Sequence, residues 1–196
     1  MESEVTIAVA RHGQTDANVK GLWVGSGDDP LNEKGREQAR ELAKSLSVFH
    51  FDFIISSDKR RAIETAGVIS EILGVPIFGH KMELRDRHYG VLEGLTTERI
   101  KEKYNVDMKS LSREIDDLGE IEPVSSVIKR VNEFVASAIT NFGGKKIVVI
   151  THGAFIRSFY EMYVNNSNRV RFTNCSHFIV QFKNGKFEIV RDLTVI

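Results

Sequence analysis

Val5-Thr6-Ile7-Ala8-Val9-Ala10-Arg11-His12-Gly13 begins with six residues that are all apolar or β-branched and ends in a cation, an imidazole and a glycine. A short continuous run of this kind, without helical spacing, reads as a buried strand. The same pattern returns late in the chain. Lys146 to Thr151 carries Ile-Val-Val-Ile, ends in Thr151-His152-Gly153 and leads into a predicted helix from Ala154 to Tyr163. A third buried strand, Phe51 to Ser56, runs into Ser57, and Arg60-Arg61 opens a helix that Gly74 and Pro76 end after Leu73. In open α/β sheets, ligands bind beyond the carboxyl ends of the strands. His12, His152 and at least two arginines, Arg11 and one of the Arg60-Arg61 pair, are therefore expected in one crevice. Arginine presents a planar fork suited to phosphate, and helix N-termini add backbone N–H donors.

Between these strands the punctuation is clear. Gly21, Gly25, Gly27 and Asp28-Asp29-Pro30 make a turn-rich loop. Asn32 caps a helix to about Leu46, with Ala39, Leu42, Ala43 and Leu46 at helical spacing. Ile77 to Gly79 is a short strand, and Thr96 to Tyr104 a short helix. Ser125 to Phe142 is an amphipathic helix with Val127, Val131, Phe134, Val135, Ala138 and Ile139 on one face. His177–Lys183 and Lys186–Arg191 flank Asn184-Gly185, a hairpin signature. Strands alternating with helices predict an α/β fold, a three-layer α/β/α sandwich on a mostly parallel sheet with a C-terminal hairpin. Residues 1–196 read as one domain with a cap-like insertion at about 96–126.

The bulk composition excludes several classes. Net formal charge is zero, so the basic excess of a general nucleic-acid binder is absent. No stretch approaches the roughly 18 apolar residues needed to span a bilayer. The acidic start, Met1-Glu2-Ser3-Glu4, does not resemble a signal peptide. A single cysteine, Cys175, fits a reducing compartment, and a cytoplasmic location is expected. No His-x-x-x-His pair or cysteine cluster offers a metal site.

Arg11-His12-Gly13-Gln14-Thr15 with Asn18 resembles the signature of the histidine phosphatase superfamily, also called phosphoglycerate mutase-like. The resemblance continues through Pro30 to Gly35, Ser57 to Ala66, Leu84 to Gly90, Leu92-Glu93-Gly94 and Thr151-His152-Gly153. It implies a phosphoglycerate mutase-like fold and phosphoryl transfer through a phosphorylated His12. It also implies that Arg11, Arg61 and His152 hold the phosphoryl group, with Asn18 helping. The family's proton donor, usually Glu, falls on Asp86, one methylene shorter.

The superfamily contains phosphatases and 2,3-bisphosphoglycerate-dependent mutases, and this chain mixes their features. Asp86-Arg87-His88-Tyr89-Gly90 resembles the mutase segment in which Arg87 and Tyr89 contact substrate, and Gly25 aligns with a mutase substrate-loop glycine. The mutase's lysine falls on Thr97, its arginine pair has no counterpart near Arg113, and its asparagine after Gly153 is Ala154. The segment Asp107 to Glu122 holds Asp107, Glu114, Asp116, Asp117, Glu120 and Glu122 against Lys109 and Arg113. Such a cap disfavours a highly anionic bisphosphate. A metal-independent phosphatase acting on a small phosphorylated metabolite is the favoured reading, with no cofactor. The alternatives are a mutase using 2,3-bisphosphoglycerate and a non-catalytic phospho-ligand binder. A homodimer is compatible with the sequence.

Other candidates read as ordinary structure. His50, His80 and His177 are surface or core histidines, although His177 lies near enough in sequence to the late strands to approach the site. Glu93 supports its loop, Arg60 is a solvated charge, and Trp23 is a lid or a packing anchor.

Overall fold

A computed structural model describes residues 4–105, 120–165 and 170–196. The elements are β1 (Val5–Arg11), α1 (Asp16–Val19), α2 (Glu33–Leu46), β2 (Phe53–Ser57), α3 (Arg60–Leu73), β3 (Ile77–Lys81), α4 (Thr97–Tyr104), α5 (Val124–Asn141), β4 (Lys146–Thr151), α6 (Gly153–Tyr163), β5 (His177–Lys183) and β6 (Lys186–Thr194). The strands form one sheet in the order β3-β2-β4-β1-β5-β6. The β2/β3, β2/β4 and β1/β4 pairs are parallel, and the C-terminal hairpin adds β5 and β6 antiparallel.

The unbroken apolar run of β1 is explained by burial on both faces, because successive side chains of a strand point to opposite sides. Val5, Ile7 and Val9 join a core with Val131, Phe134, Phe155 and Phe159 from α5 and α6. Ala8 and Ala10 join a second core with Leu42, Ala43, Ala62 and Ile69 from α2 and α3. Two cores on one sheet are the three layers. A third, smaller cluster of Leu92, Ile100 and Ile121, with Trp23 and Tyr89 packed on it, lies under the loops.

The caps follow the sequence. Asn32 Oδ1 accepts from Gly35 N at 2.8 Å, and Gly74 ends α3 in the left-handed region at φ 65°. Three boundaries differ from the sequence reading by two residues or more. β2 starts at Phe53, because His50 turns left-handed at φ 49° and Asp52 is engaged with Lys145 and Lys146. β3 runs on to Lys81 and β6 to Thr194, since pairing continues beyond their apolar cores. The single turn α1 was not anticipated; Thr15 caps it by accepting from Asn18 N at 3.2 Å. Most of the acidic segment Asp107 to Glu122, with Arg113, lies outside the described residues. No described helix is long and apolar enough to cross a membrane.

Candidate active site

Strand register assembles the site. In the β1/β4 ladder Arg11 is level with Thr151, so the next residue of each strand, His12 and His152, emerges side by side. His12 N donates to Thr151 O at 2.9 Å, and the two imidazole centroids are 5.0 Å apart. β2 lies on the other flank of β4, and the first turn of α3 brings in Arg61. These groups are out of water: His12 is 2% exposed, Arg61 1% and His152 0%.

Hydrogen bonds assign the tautomers. His12 Nδ1 lies 2.7 Å from Gly13 O, an obligate acceptor, so Nδ1 carries the proton and Nε2 keeps its lone pair. Arg61 Nε donates to both His152 Nδ1 (3.2 Å) and His12 Nε2 (3.3 Å). His152 therefore carries its proton on Nε2. Burial drives both histidines well below the ordinary imidazole range. The neighbouring Arg11 and Arg61 push His12 further down, and Arg61, the other imidazole and Arg11 do the same for His152. Both are neutral at physiological pH.

Among the described residues, the buried polar side-chain atoms without a partner are Arg11 Nε, His152 Nε2 and Thr173 Oγ1. The first two are donors flanking His12. An ideal Cβ on Gly153 would lie 4.0 Å from Arg11 Nε, so the opening of α6 faces the same space. Buried donors without acceptors are costly unless a ligand supplies the acceptor. Two such donors beside a nitrogen that keeps its lone pair are suited to the oxygens of a bound anion.

Gly13 serves packing. A Cβ there would run into the backbone of Gly35, so the pair of glycines lets α2 close on the loop after β1. Gly13 N donates to Thr65 Oγ1 at 3.0 Å, tying that loop to α3 as well.

Asp86 stands at the rim. Its Oδ1 accepts from Arg87 N and Ala154 N, both at 3.0 Å, while Oδ2 accepts nothing among the described residues. It is the largest opposing charge on both Arg11 and Arg61. Arg130, which the sequence reading missed, clamps this segment: Nη1 donates to Glu83 O (2.7 Å) and Arg85 O (3.0 Å), while Nε and Nη2 grip the Glu122 carboxylate. A cavity of about 520 Å³ opens here beside Asp86, lined also by Ser26, Arg85, His88 and Arg130.

The other candidates sort by position. Asn18 joins the site, with Oδ1 held by Thr15 N and by Asn174. Gly25 adopts φ 52°, and its carbonyl, with that of Gly27, accepts from the Arg61 fork at 3.0 and 2.6 Å. Arg87 is buried, donates Nε to Glu122 O and lies 5.8 Å from the Tyr89 ring. Burial raises the Tyr89 phenol strongly, and Asp86 adds to the effect. Trp23 is a packing anchor, edge-on to Tyr89 and donating Nε1 to Thr97 Oγ1 at 3.1 Å. Glu93 supports its loop: Oε1 accepts from Ser26 N, Tyr89 N and His88 Nδ1, and Oε2 from Ser26 Oγ. His177 does not join the site; its Nε2 pairs with Ser45 Oγ near the C-terminal end of α2 at 3.2 Å. His80 Nδ1 meets Ser56 Oγ at 2.7 Å.

The histidine phosphatase superfamily (branch 1) matches residues 7–192. The chain belongs to this superfamily. It is 32% identical to a broad-specificity phosphatase of Saccharomyces cerevisiae, covering 95% of this chain and 84% of that protein. It is 29% identical to a 2,3-bisphosphoglycerate-dependent phosphoglycerate mutase of Cytophaga hutchinsonii, covering 78% and 74%. It superposes on a mycobacterial glucosyl-3-phosphoglycerate phosphatase complexed with VO3, with TM-score 0.80, 27% identity and 95% and 97% coverage. The buried imidazole pair, with two donors that have no protein partner among the described residues, fits a histidine phosphatase, and the fold is the phosphoglycerate mutase-like one that the motif resemblance implied.

Proposed function

We propose that this enzyme hydrolyses small phosphomonoesters, with His12 Nε2 as the nucleophile. The observation that carries the reading is the pairing of that lone pair with two buried donors, Arg11 Nε and His152 Nε2, that have no protein acceptor among the described residues. The Nε2 lone pair attacks phosphorus as the P–O bond to the leaving group breaks. Arg11, Arg61 and His152 spread the charge of the equatorial oxygens. Asp86, in its acid form, protonates the leaving oxygen. Water then attacks the phosphohistidine and returns a proton to Asp86, releasing inorganic phosphate. Asn18 and the N-terminus of α6 complete the phosphate pocket, and Arg87 and Tyr89 shape the substrate side. The reaction needs no metal or organic cofactor, and we place the enzyme in the cytoplasm.

The mutase relative favours a second reading, in which phosphohistidine is discharged onto a phosphoglycerate and 2,3-bisphosphoglycerate primes the enzyme. Thr97, at the mutase lysine position, binds Trp23 and supplies no charge for a bisphosphate. The test is a panel of phosphomonoesters, including both phosphoglycerates, assayed for phosphate release in chelator. Release of phosphate with an acid-labile phosphoenzyme is expected. Interconversion of the phosphoglycerates stimulated by the bisphosphate, with negligible phosphate release, would replace phosphatase by mutase. Vanadate binding with neither activity would leave a binding module.

A further inference from the structure

We propose that Asn174 is a positioning residue that, together with the Thr15 N–H, fixes which end of the Asn18 carboxamide faces the phosphoryl group. The proposal rests on the assignment of Asn18 to the phosphate pocket. Asn174 sits in the turn before β5, remote in sequence from every motif of the site. Its Nδ2 donates to His12 O at 3.1 Å and to Asn18 Oδ1 at 3.0 Å. The orientation of both amides follows from chemistry. A carbonyl accepts only, so the Asn174 atom facing His12 O is nitrogen. Thr15 N–H donates only, so the Asn18 atom it meets at 3.2 Å is oxygen. With its oxygen held by two donors, Asn18 leaves Nδ2, which donates nothing among the described residues, as its free end. A donor at that end complements phosphate; an oxygen there would repel it.

The turn that carries Asn174 is bound to the nucleophile strand at several points. Phe172 O accepts from Arg11 Nη1 at 2.8 Å, Arg11 N donates to Ser176 O at 3.1 Å, and Cys175 N donates to Arg11 O at 3.2 Å. Cys175 adopts φ 58°, a conformation that L side chains rarely take, immediately after Asn174. Backbone held there by its surroundings is a form of local strain found where a side chain must be aimed. One side chain thus holds both the main chain of the nucleophile and the amide of a phosphate ligand.

The experiment is a double-mutant cycle on p-nitrophenyl phosphate hydrolysis, with Asn174→Ala and Asn174→Asp made alone and with Asn18→Ala. The carboxylate of Asn174→Asp offers Asn18 an acceptor in place of a donor, so it competes with the Thr15 N–H for the orientation of the Asn18 amide and favours turning oxygen toward phosphate. Asn174→Ala is expected to lower kcat/KM about ten-fold, the scale of one lost hydrogen bond. Asn174→Asp is expected to lower it further, and that extra loss must vanish on the Asn18→Ala background. Equal costs on both backgrounds, or Asp no worse than Ala, overturn the proposal. In wild type, the Asn18 side-chain NH2 resonances should shift on adding orthovanadate; no shift also overturns it, whether or not the variants fold. If wild type binds vanadate with that shift but turns over nothing, the proposed phosphatase fails, and the role of Asn174 is then decided by vanadate affinity, which Asn174→Asp must weaken more than Asn174→Ala.

Discussion

The cradle of Arg11, His12, Arg61 and His152 and the rim formed by residues 25–28 and 85–94 are ordered by different forces. The cradle inherits its geometry from strand register and lies in a dry core, where the arginines and imidazoles are desolvated before any ligand arrives. The rim has little core of its own beyond Leu92, Ile100 and Ile121, and is tied by side chains. Glu93 gathers Ser26, His88 and Tyr89, Asp28 Oδ1 accepts from Arg60 N at 2.7 Å, and Arg130 gathers Glu83 to Asp86. A register-built cradle suits chemistry common to many substrates. A rim tied by exposed polar groups can change at small cost to the fold, which is where specificity belongs. The two meet at the Arg61 fork, which donates to both histidines and to the carbonyls of Gly25 and Gly27.

The largest effect expected from the cradle is that of His12→Ala, which should remove the acid-labile phosphoenzyme and lower kcat by on the order of 10³-fold or more. Rapid-quench labelling checks it. A labelled His12→Ala protein would move the nucleophile elsewhere and dissolve the contrast between cradle and rim.

The dryness of the cradle makes a separate prediction about stability. Burial holds His12 and His152 well below their ordinary range and takes His177 down to about 4. As pH falls below about 6.5, the unfolded chain binds protons at these positions and the native chain does not, so stability falls with pH. The slope approaches about 1.4 kcal/mol per pH unit for each buried histidine. Urea unfolding between pH 7 and pH 5 should show the midpoint falling with m unchanged. A flat profile would mean that the imidazoles are hydrated or charged in the native state.

Asp86 lies where cradle and rim join, and its variant sharpens the boundary. Asp86→Asn should slow phosphate release from alkyl phosphates by about 10²-fold, the usual scale of a lost general acid. The loss should be much smaller with p-nitrophenyl phosphate, whose leaving group needs no proton. Equal losses on both substrates would make Asp86 an anchor for Ala154 and Arg87 and nothing more.

How much of this was legible in the sequence divides along the same line. Register and burial are local patterns: three apolar runs ending in Arg11-His12-Gly13, Ser57 and Thr151-His152-Gly153 are enough to converge the Arg60-Arg61 pair with the two histidines, and the motif resemblance then selects Arg61. The hydrogen bonds of the rim and buttress are long-range and specified by no spacing. Arg130 reaches the Asp86 segment from α5, and Asn174 reaches His12 and Asn18 across most of the chain. An arginine on an amphipathic helix and an asparagine in a turn look like solvated residues until the fold closes. His177 shows the opposite error. It opens a core strand beside the site and shares the Ala10 face of the sheet, yet its ring pairs with Ser45 near the C-terminal end of α2.

The smallest effect, Glu93→Gln, probes whether the rim influences the cradle through the Arg61 fork. Burial pushes the Glu93 carboxyl up, but donors from Ser26 and Tyr89 outweigh it and hold it below its ordinary value, so it is an anion accepting on both oxygens. An amide of the same shape keeps one acceptor and loses the charge, loosening residues 25–28 while leaving the buried groups in place. The Arg61 Nε bonds to His12 and His152 do not pass through that loop, so kcat should stay within about two-fold and KM should rise about 3- to 10-fold. Steady-state kinetics on a poor and a good substrate separate the two constants. A fall in kcat with KM unchanged would mean that the Gly25 and Gly27 carbonyls set the aim of Arg61. The rim would then belong to the catalytic geometry, and specificity would have to be sought in the cavity beside Arg85 and His88.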